Sequence, residues 1–312
     1  MKILLVSHLW ALALIACVCI ACANTSAQAD PPAKPAPSFA DVSYGPSPHQ
    51  LLDIYLPPGG AGPFPAMIMY GTIWVPGKHA DGTSALFPAQ CAVIAVETRT
   101  MADGQADKDP APVSYVELDA CRAVQFIRLH ARDYNIDPDH LATAGSSQAG
   151  IPALYVALAD DKANPNSADP VERMSTKVDG VMCLRCQPSI DPKRMQEWVP
   201  GVKWGAPSFN CSFEESLAKR DELLPLINKW SPDALLHPGA PPIYFYNNWP
   251  LTKPDDVKEM DYLVHSPAWG LGFKQVADAH GVTVYNDYPG HPADKYKNPW
   301  DFMIHILKPS TP

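Results

Sequence analysis

Ser147 is the residue of this chain best placed for covalent chemistry. It lies in Gly145-Ser146-Ser147-Gln148-Ala149, with tiny residues two positions before and two after it. That spacing fits a nucleophile elbow, a strained turn between a strand and a helix that lifts a serine hydroxyl above the end of the sheet. Small neighbours are needed because the turn is too tight for bulk. A serine hydroxyl is a poor nucleophile until an imidazole takes its proton, and a carboxylate must hold that imidazole in the right tautomer. Serine among glycine and alanine is also ordinary turn chemistry, so the flanking elements have to decide.

Those elements are of the required kind. From Pro112 to Tyr134, Val116, Ala120, Val124, Ile127 and Ala131 recur three or four apart, the stripe of an amphipathic helix packed on a sheet. Asn135-Ile136-Asp137-Pro138 breaks it, Leu141 to Ala144 reads as a strand, and Gly150 to Ala159 as a buried helix in which Pro152 is tolerable because it falls in the first turns. Strand-like runs also occur at Phe39–Tyr44, Leu51–Leu56, Ala66–Tyr70, Cys91–Glu97, Val178–Leu184, Ile243–Tyr246 and Val282–Tyr285, with helical stretches between the later ones. This alternation predicts an α/β fold: a mainly parallel, doubly wound sheet, with the first two strands as an antiparallel edge. Residues 186–240 do not alternate. They hold Trp198, Trp204 and a charged helical stretch from Glu214 to Trp230, and they read either as a cap over the catalytic end of the sheet or as an excursion that its tryptophans merely seal.

The chain has 312 residues, 46% of them hydrophobic, enough for a substantial core. Acidic residues outnumber basic ones by 33 to 24, which argues against nucleic acid as a ligand and suits a neutral or esterified one. Residues 1–29 read as a signal peptide: Lys2, an apolar stretch from Ile3 to about Ala23, and Ala27-Gln28-Ala29 as a cleavage site, with Ala21-Cys22-Ala23 as a second. Leu14-Ile15-Ala16-Cys17 resembles a lipobox, an alternative that would leave a lipid anchor on Cys17. Either way the protein is expected to be exported, periplasmic or secreted, with a proline-rich tether at residues 30–38 and the folded domain over 39–312. Cleavage after Ala29 leaves Cys91, Cys121, Cys183, Cys186 and Cys211, an odd set. Cys183 and Cys186 have the spacing of a metal or redox pair, but residues three apart on a strand face opposite sides. Core thiols are therefore expected, with Cys186 and Cys211 available for a disulfide in an oxidising compartment. No metal cluster, nucleotide-binding glycine pattern or coenzyme motif is apparent, so neither metal nor cofactor is expected.

Taken together, the chain resembles the alpha/beta hydrolase superfamily, in its secreted esterase/lipase branch of feruloyl and acetyl-xylan esterase-like proteins. Leu52-Asp-Ile-Tyr-Leu-Pro57 is similar to that branch's opening strand, Val96-Glu-Thr-Arg99 to its strand ending in arginine, and Asp119 to Arg128 to the helix that follows. Gly145 to Gly150 resembles the elbow, and the likeness runs from about residue 39 to 308. In this fold the chain order is serine, acid, histidine. The resemblance accordingly implies His291, beyond the strand Val282–Tyr285, as the base. It implies Asp261, counted back through the helix Ser266–His280, as the acid, with Asp256 in reserve. Asn247 and Asn248 hold the strand end where a shorter loop would put an acid, so Trp249 to Met260 reads as an insertion.

The departure from the family lies after the third strand. Relatives carry a His-Gly-Gly-Gly-Trp-like run whose backbone N–H groups bind the developing oxyanion; here the run is Tyr70-Gly71-Thr72-Ile73-Trp74. The backbone N–H groups of Thr72, Ile73 and Gln148 are the expected donors, with Tyr70 and Trp74 against the substrate. Yet β-branched residues disfavour positive φ, so another loop path is open. The expected function is that of a serine esterase cleaving small-molecule or carbohydrate-linked carboxylic esters through an acyl-enzyme. The alternatives are a catalytically impaired hydrolase fold kept for binding and, third, a peptidase.

Overall fold

The computed structural model describes residues 34–203 and 206–308; the leader, the Cys17 anchor site, Trp204 and the first part of the tether lie outside the described residues. Eight strands form one sheet: β1 (Phe39–Ser43), β2 (Leu51–Tyr55), β3 (Phe64–Tyr70), β4 (Ala92–Glu97), β5 (Ile136–Ser146), β6 (Val181–Leu184), β7 (Ile243–Tyr246) and β8 (Val284–Asp287). Their order is β1-β2-β4-β3-β5-β6-β7-β8. β2 runs antiparallel to both of its neighbours, β1 and β4, and the other pairings are parallel. The sequence shows why. β2 is alternately buried and half-buried, as befits an edge region, whereas β3 is apolar and buried throughout, as a central parallel strand covered on both faces must be.

The covering helices, in chain order, are α1 (Thr83–Leu86), α2 (Met101–Ala106), α3 (Val113–Leu129), α4 (Gly150–Leu158), α5 (Pro192–Trp198), α6 (Phe213–Ala218), α7 (Arg220–Trp230), α8 (Glu259–Val264), α9 (Ala268–Ala279) and α10 (Pro299–Leu307). Period-two alternation along β3 divides the core. Ala66, Ile68 and Tyr70 join α3 and α4 on one face, while Met67 and Met69 meet Phe302 and Met303 of α10 on the other. At the end of β4, Arg99 grips the buried carboxylate of Asp119 on α3, with its Nη2 2.6 Å from Oδ1, and Gln50 adds a bond of 2.7 Å to the same carboxylate.

The excursion over 186–240 carries α5, α6 and α7. Met195, Val199, Val202 and Phe213 cluster with Trp269 of α9, and Leu263 and Val264 of α8 pack against them. Trp198 fills the space left by Gly272, where an added Cβ would lie 2.2 Å from the indole, and Trp230 stacks on Tyr155 of α4. Both described tryptophans of this stretch are thus structural seals. The charged segment expected as one helix is two, divided at Lys219.

Candidate active site

β5 ends at Ser146 and α4 begins at Gly150, leaving a single tight turn to carry Ser147. Ser147 adopts φ 54°, the left-handed region that non-glycine residues seldom enter and that an elbow requires. The small neighbours have measurable reasons. A Cβ on Gly145 would stand 2.1 Å from the carbonyl oxygen of Ala149, and one on Gly150 would stand 2.3 Å from Cys186 Sγ. The Cys186 thiol in turn donates to the Gly145 carbonyl at 3.1 Å, bracing the turn from below. Cys186 and Cys211 are both free thiols, so the disulfide considered from the sequence is replaced by this contact. Cys183 is buried as expected.

The ring that meets Ser147 belongs to His265. Its Nε2 is 2.9 Å from Ser147 Oγ, and its Nδ1 is 3.1 Å from the main-chain oxygen of Asp261. A carbonyl only accepts, so Nδ1 carries the proton and Nε2 presents a lone pair to the hydroxyl, the tautomer a general base needs. Burial, and then the positive charge of Arg185, hold the His265 pKa below the ordinary imidazole value, which keeps the ring neutral at neutral pH. His265 follows the last turn of α8 and is fixed from several sides: Asn247 Nδ2 donates to its carbonyl at 2.6 Å, and Trp249 meets its ring edge-on at 5.9 Å. Gln187 donates to the carbonyl of Val264. Of these residues Trp249 opens the expected insertion 249–260.

His291, the base implied by chain order, does not reach the elbow. Tyr288 and His291 close a backbone bridge on each other, with bonds of 2.8 and 3.2 Å, and the imidazole stacks on the Tyr288 ring at 5.1 Å, exposed on the surface. Asp261 is beside His265, but through its carbonyl; its carboxylate is exposed, as are Asp255 and Asp256. A histidine four residues after Asp261, just before the helix-breaking Ser266-Pro267, was the available signal for His265, and the family's chain order pointed past it.

The loop after β3 resolves the question of its path. Neither Thr72 nor Ile73 takes positive φ. Ile73 buries its side chain in the core and accepts from Met101 N–H at 2.9 Å, while Gly71 donates to Val96 O at 2.9 Å and packs so closely on Gly77 that a Cβ would come within 1.9 Å of its carbonyl. Among the described residues, the N–H groups of Thr72, Ile73 and Gln148 donate to no backbone carbonyl outside regular elements. The Gln148 side chain ties elbow and loop together: its Oε1, 2.7 Å from Ser147 Oγ, is an alternative acceptor to His265 Nε2 for the one hydroxyl proton, and its Nε2 donates to Thr72 Oγ1 at 3.3 Å. Tyr70, expected against the substrate, is instead wholly buried on the α3 face, where its hydroxyl donates to Ala120 O at 3.0 Å. Trp74 is half-buried and packs on the core.

Beside the elbow opens a cleft of about 510 Å³ lined by Ser146, Leu184, Arg185, Tyr246, Asn248, Asn298, Pro299 and Trp300. None of these comes from 186–240, so that excursion packs against Leu263 and Val264, next to His265, and does not line this cleft.

Comparison with known proteins agrees with this architecture. A family model described as BD-FAE matches residues 52–243. A probable isoprenylcysteine alpha-carbonyl methylesterase of Arabidopsis thaliana is 28% identical over 110 residues, a match that covers 34% of this chain and only 22% of that protein. A truncated carbohydrate esterase from gut microbiota superposes with a TM-score of 0.59 at 20% identity, over 80% of this chain and 85% of that one. An acetyl ester-xyloside bifunctional hydrolase from Caldicellulosiruptor lactoaceticus gives 0.55 at 18% identity, over 78% of each chain. A propionate-bound esterase from Thermogutta terrifontis gives 0.51 at 16% identity, over 82% and 85%.

Proposed function

The chain belongs to the BD-FAE family of alpha/beta-hydrolase-type esterases, and on that premise we propose that it cleaves small carboxylic esters with Ser147 as nucleophile and His265 as general base. The observation that carries this reading is the 2.9 Å contact between Ser147 Oγ and His265 Nε2 at an elbow with φ 54°. Ser147 Oγ attacks the acyl carbon while its proton passes to His265 Nε2. The carbonyl oxygen, now an anion, is received by the N–H of Gln148 with those of Thr72 and Ile73. Collapse expels the alcohol, which leaves with the proton from His265. The acyl-enzyme is then hydrolysed by water activated at the same nitrogen. Asp261 orients the imidazole by its main-chain carbonyl and adds a nearby negative charge, so this is a serine–histidine pair with a weaker third member than a buried carboxylate. The activities of the structurally similar carbohydrate esterase and acetyl ester-xyloside hydrolase favour a carbohydrate-linked ester as substrate, and the leader-like residues 1–29 favour an exported enzyme.

A fluorophosphonate probe tests this directly, because labelling needs both an activated serine and a usable oxyanion site. Labelled peptide mapping should give Ser147, and Ser147→Ala should abolish both labelling and hydrolysis of 4-nitrophenyl acetate. Persistent turnover in a folded Ser147→Ala protein would remove the proposal.

A further inference from the structure

Arg185 stands in the cleft beside the elbow. It follows β6 directly and lines the cleft of about 510 Å³ together with Ser146, the residue before the nucleophile. Its backbone is held at φ 52°, a second left-handed non-glycine residue at this end of the sheet, and its N–H donates to Tyr246 O at 2.8 Å. Strain of this kind persists only where the surroundings fix it, and here it fixes which way the side chain leaves the strand.

The described arginines are held in different ways: four meet carboxylates, Arg128 and Arg173 donate to main-chain carbonyls, and Arg185, like Arg132, has no ion pair. Arg99, Arg122, Arg194 and Arg220 each meet a carboxylate, at 2.6, 2.8, 3.5 and 2.6 Å respectively. Arg185 has no ion pair among the described residues; its guanidinium lies over the face of Trp249, 5.7 Å from the ring centroid. In a chain of formal charge −9 a carboxylate was readily available, and none is used. Asp287 borders an adjoining hollow with Arg185, but its Oδ2 receives the Tyr244 hydroxyl at 2.7 Å. A guanidinium offers five donors in a fork that fits a carboxylate in two-point contact, and aromatic stacking leaves that fork available.

We propose that Arg185 is a specificity-determining residue that receives a carboxylate carried by the substrate, making the preferred substrates anionic esters in which a carboxylate accompanies the scissile bond. Tyr246, Asn248 and Asn298 line the remainder of the cleft with hydrogen-bonding groups, and Trp300 gives it an aromatic wall. This rests on the assignment of Ser147 as nucleophile, since it is the adjacency of Ser147 to the lining residue Ser146 that makes the cleft a substrate site.

The test compares matched esters. One pair differs in the acyl part, 4-nitrophenyl hemisuccinate against 4-nitrophenyl butyrate; the other differs in the alcohol part, 4-acetoxybenzoate against methyl 4-acetoxybenzoate. In one of the two pairs the wild-type kcat/KM for the anionic member should exceed that for the neutral member by about tenfold or more, the ordinary worth of a charge-assisted contact. Arg185→Gln should bring that ratio to near one, and Arg185→Lys should leave it in between. If Arg185→Gln does not fold, salt decides: the wild-type preference must shrink as sodium chloride rises toward 1 M. The inference is overturned by neutral preference in both pairs, by a ratio that survives Arg185→Gln, or by a ratio indifferent to salt. Should Ser147→Ala abolish hydrolysis of all four esters while the wild-type ratios stay near one, the esterase reading stands and this inference alone falls.

Discussion

Replacing His265 by alanine should cripple the enzyme, while replacing His291 by alanine should not. General-base assistance is worth about 10² to 10⁴ in rate, or roughly 2.7 to 5.4 kcal/mol at 1.36 kcal/mol per tenfold. The structure narrows this. His265 Nε2 lies at full hydrogen-bond reach of Ser147 Oγ, 2.9 Å, which favours a large effect. Its Nδ1–H is held by the neutral carbonyl of Asp261 at 3.1 Å, which stabilises the imidazolium less than a buried carboxylate would. A loss of about 10³ in kcat, near 4 kcal/mol, is the resulting expectation. His291→Ala should stay within about threefold of wild type, because surface substitutions away from a site change little. The assay is steady-state hydrolysis of 4-nitrophenyl acetate at pH 8, with circular dichroism as the check on folding. The pH profile gives a second reading of the same group. Neutral imidazole is the active form, so kcat/KM rises as pH rises through the His265 pKa, and burial with Arg185 places that rise below the ordinary value of about 6.5. A crippled His291→Ala beside an active His265→Ala would refute the reasoning outright.

Further expectations concern the surrounding groups. Asp261→Asn keeps the carbonyl that touches His265 but removes a charge that raises its pKa, so turnover at pH 8 should fall less than tenfold and the acid limb should move to lower pH; Arg185→Gln removes a charge that lowers it and should move that limb up. The double change Thr72→Gly with Ile73→Gly should not improve the oxyanion loop, since neither residue needs positive φ and Ile73 is 1% exposed; emptying that core position should cost at least about 2 to 5 kcal/mol in urea unfolding and lower turnover. Glu117 is fully buried, both carboxyl oxygens lack a hydrogen-bond partner, and desolvation raises its pKa well above the carboxylate range. The folded state thus holds a proton that the unfolded chain releases, and stability falls as pH rises from the unfolded value of about 4.5 toward the raised folded one. Glu117→Gln has no such titration, so its melting temperature relative to wild type should climb between pH 5 and pH 8.

The sheet was legible because its strands are apolar, short and separated by turn residues; every strand expected between Phe39 and Tyr285 is present, with ends shifted by up to a few residues. Ser147 was legible for a local reason, the steric demand that Gly145, Ala149 and Gly150 make visible as missing side chains. The approach of His265 to it was not, because that depends on how the 249–260 segment folds back over α8, a matter of tertiary contacts such as Trp249 on His265 and Asn247 on its carbonyl. Tyr70 misled for a related reason: position 70 ends a strand buried on both faces, where sequence cannot tell which side chain faces the site and which faces α3. Ile73 shows the converse. Its bulk suggested an obstructed loop, whereas it is the anchor that holds the loop in place.

The proposed nucleophile and base are mounted on parts with different attachments. Ser147 sits on the central strands, among the most deeply packed in the protein, whereas His265 rides on α8, whose Leu263 and Val264 rest on the Met195–Val202 and Phe213 cluster of the 186–240 excursion. Proteins open in cooperative pieces, and a peripheral helical piece opens at lower free energy than a central sheet. On warming, this enzyme would therefore lose its base before it loses its fold, and recover it on cooling without refolding the sheet. Thermal tolerance of catalysis would be set by the small Met195–Trp269 cluster, and selection or engineering for activity at higher temperature would find its leverage there, at a distance from every atom that reacts.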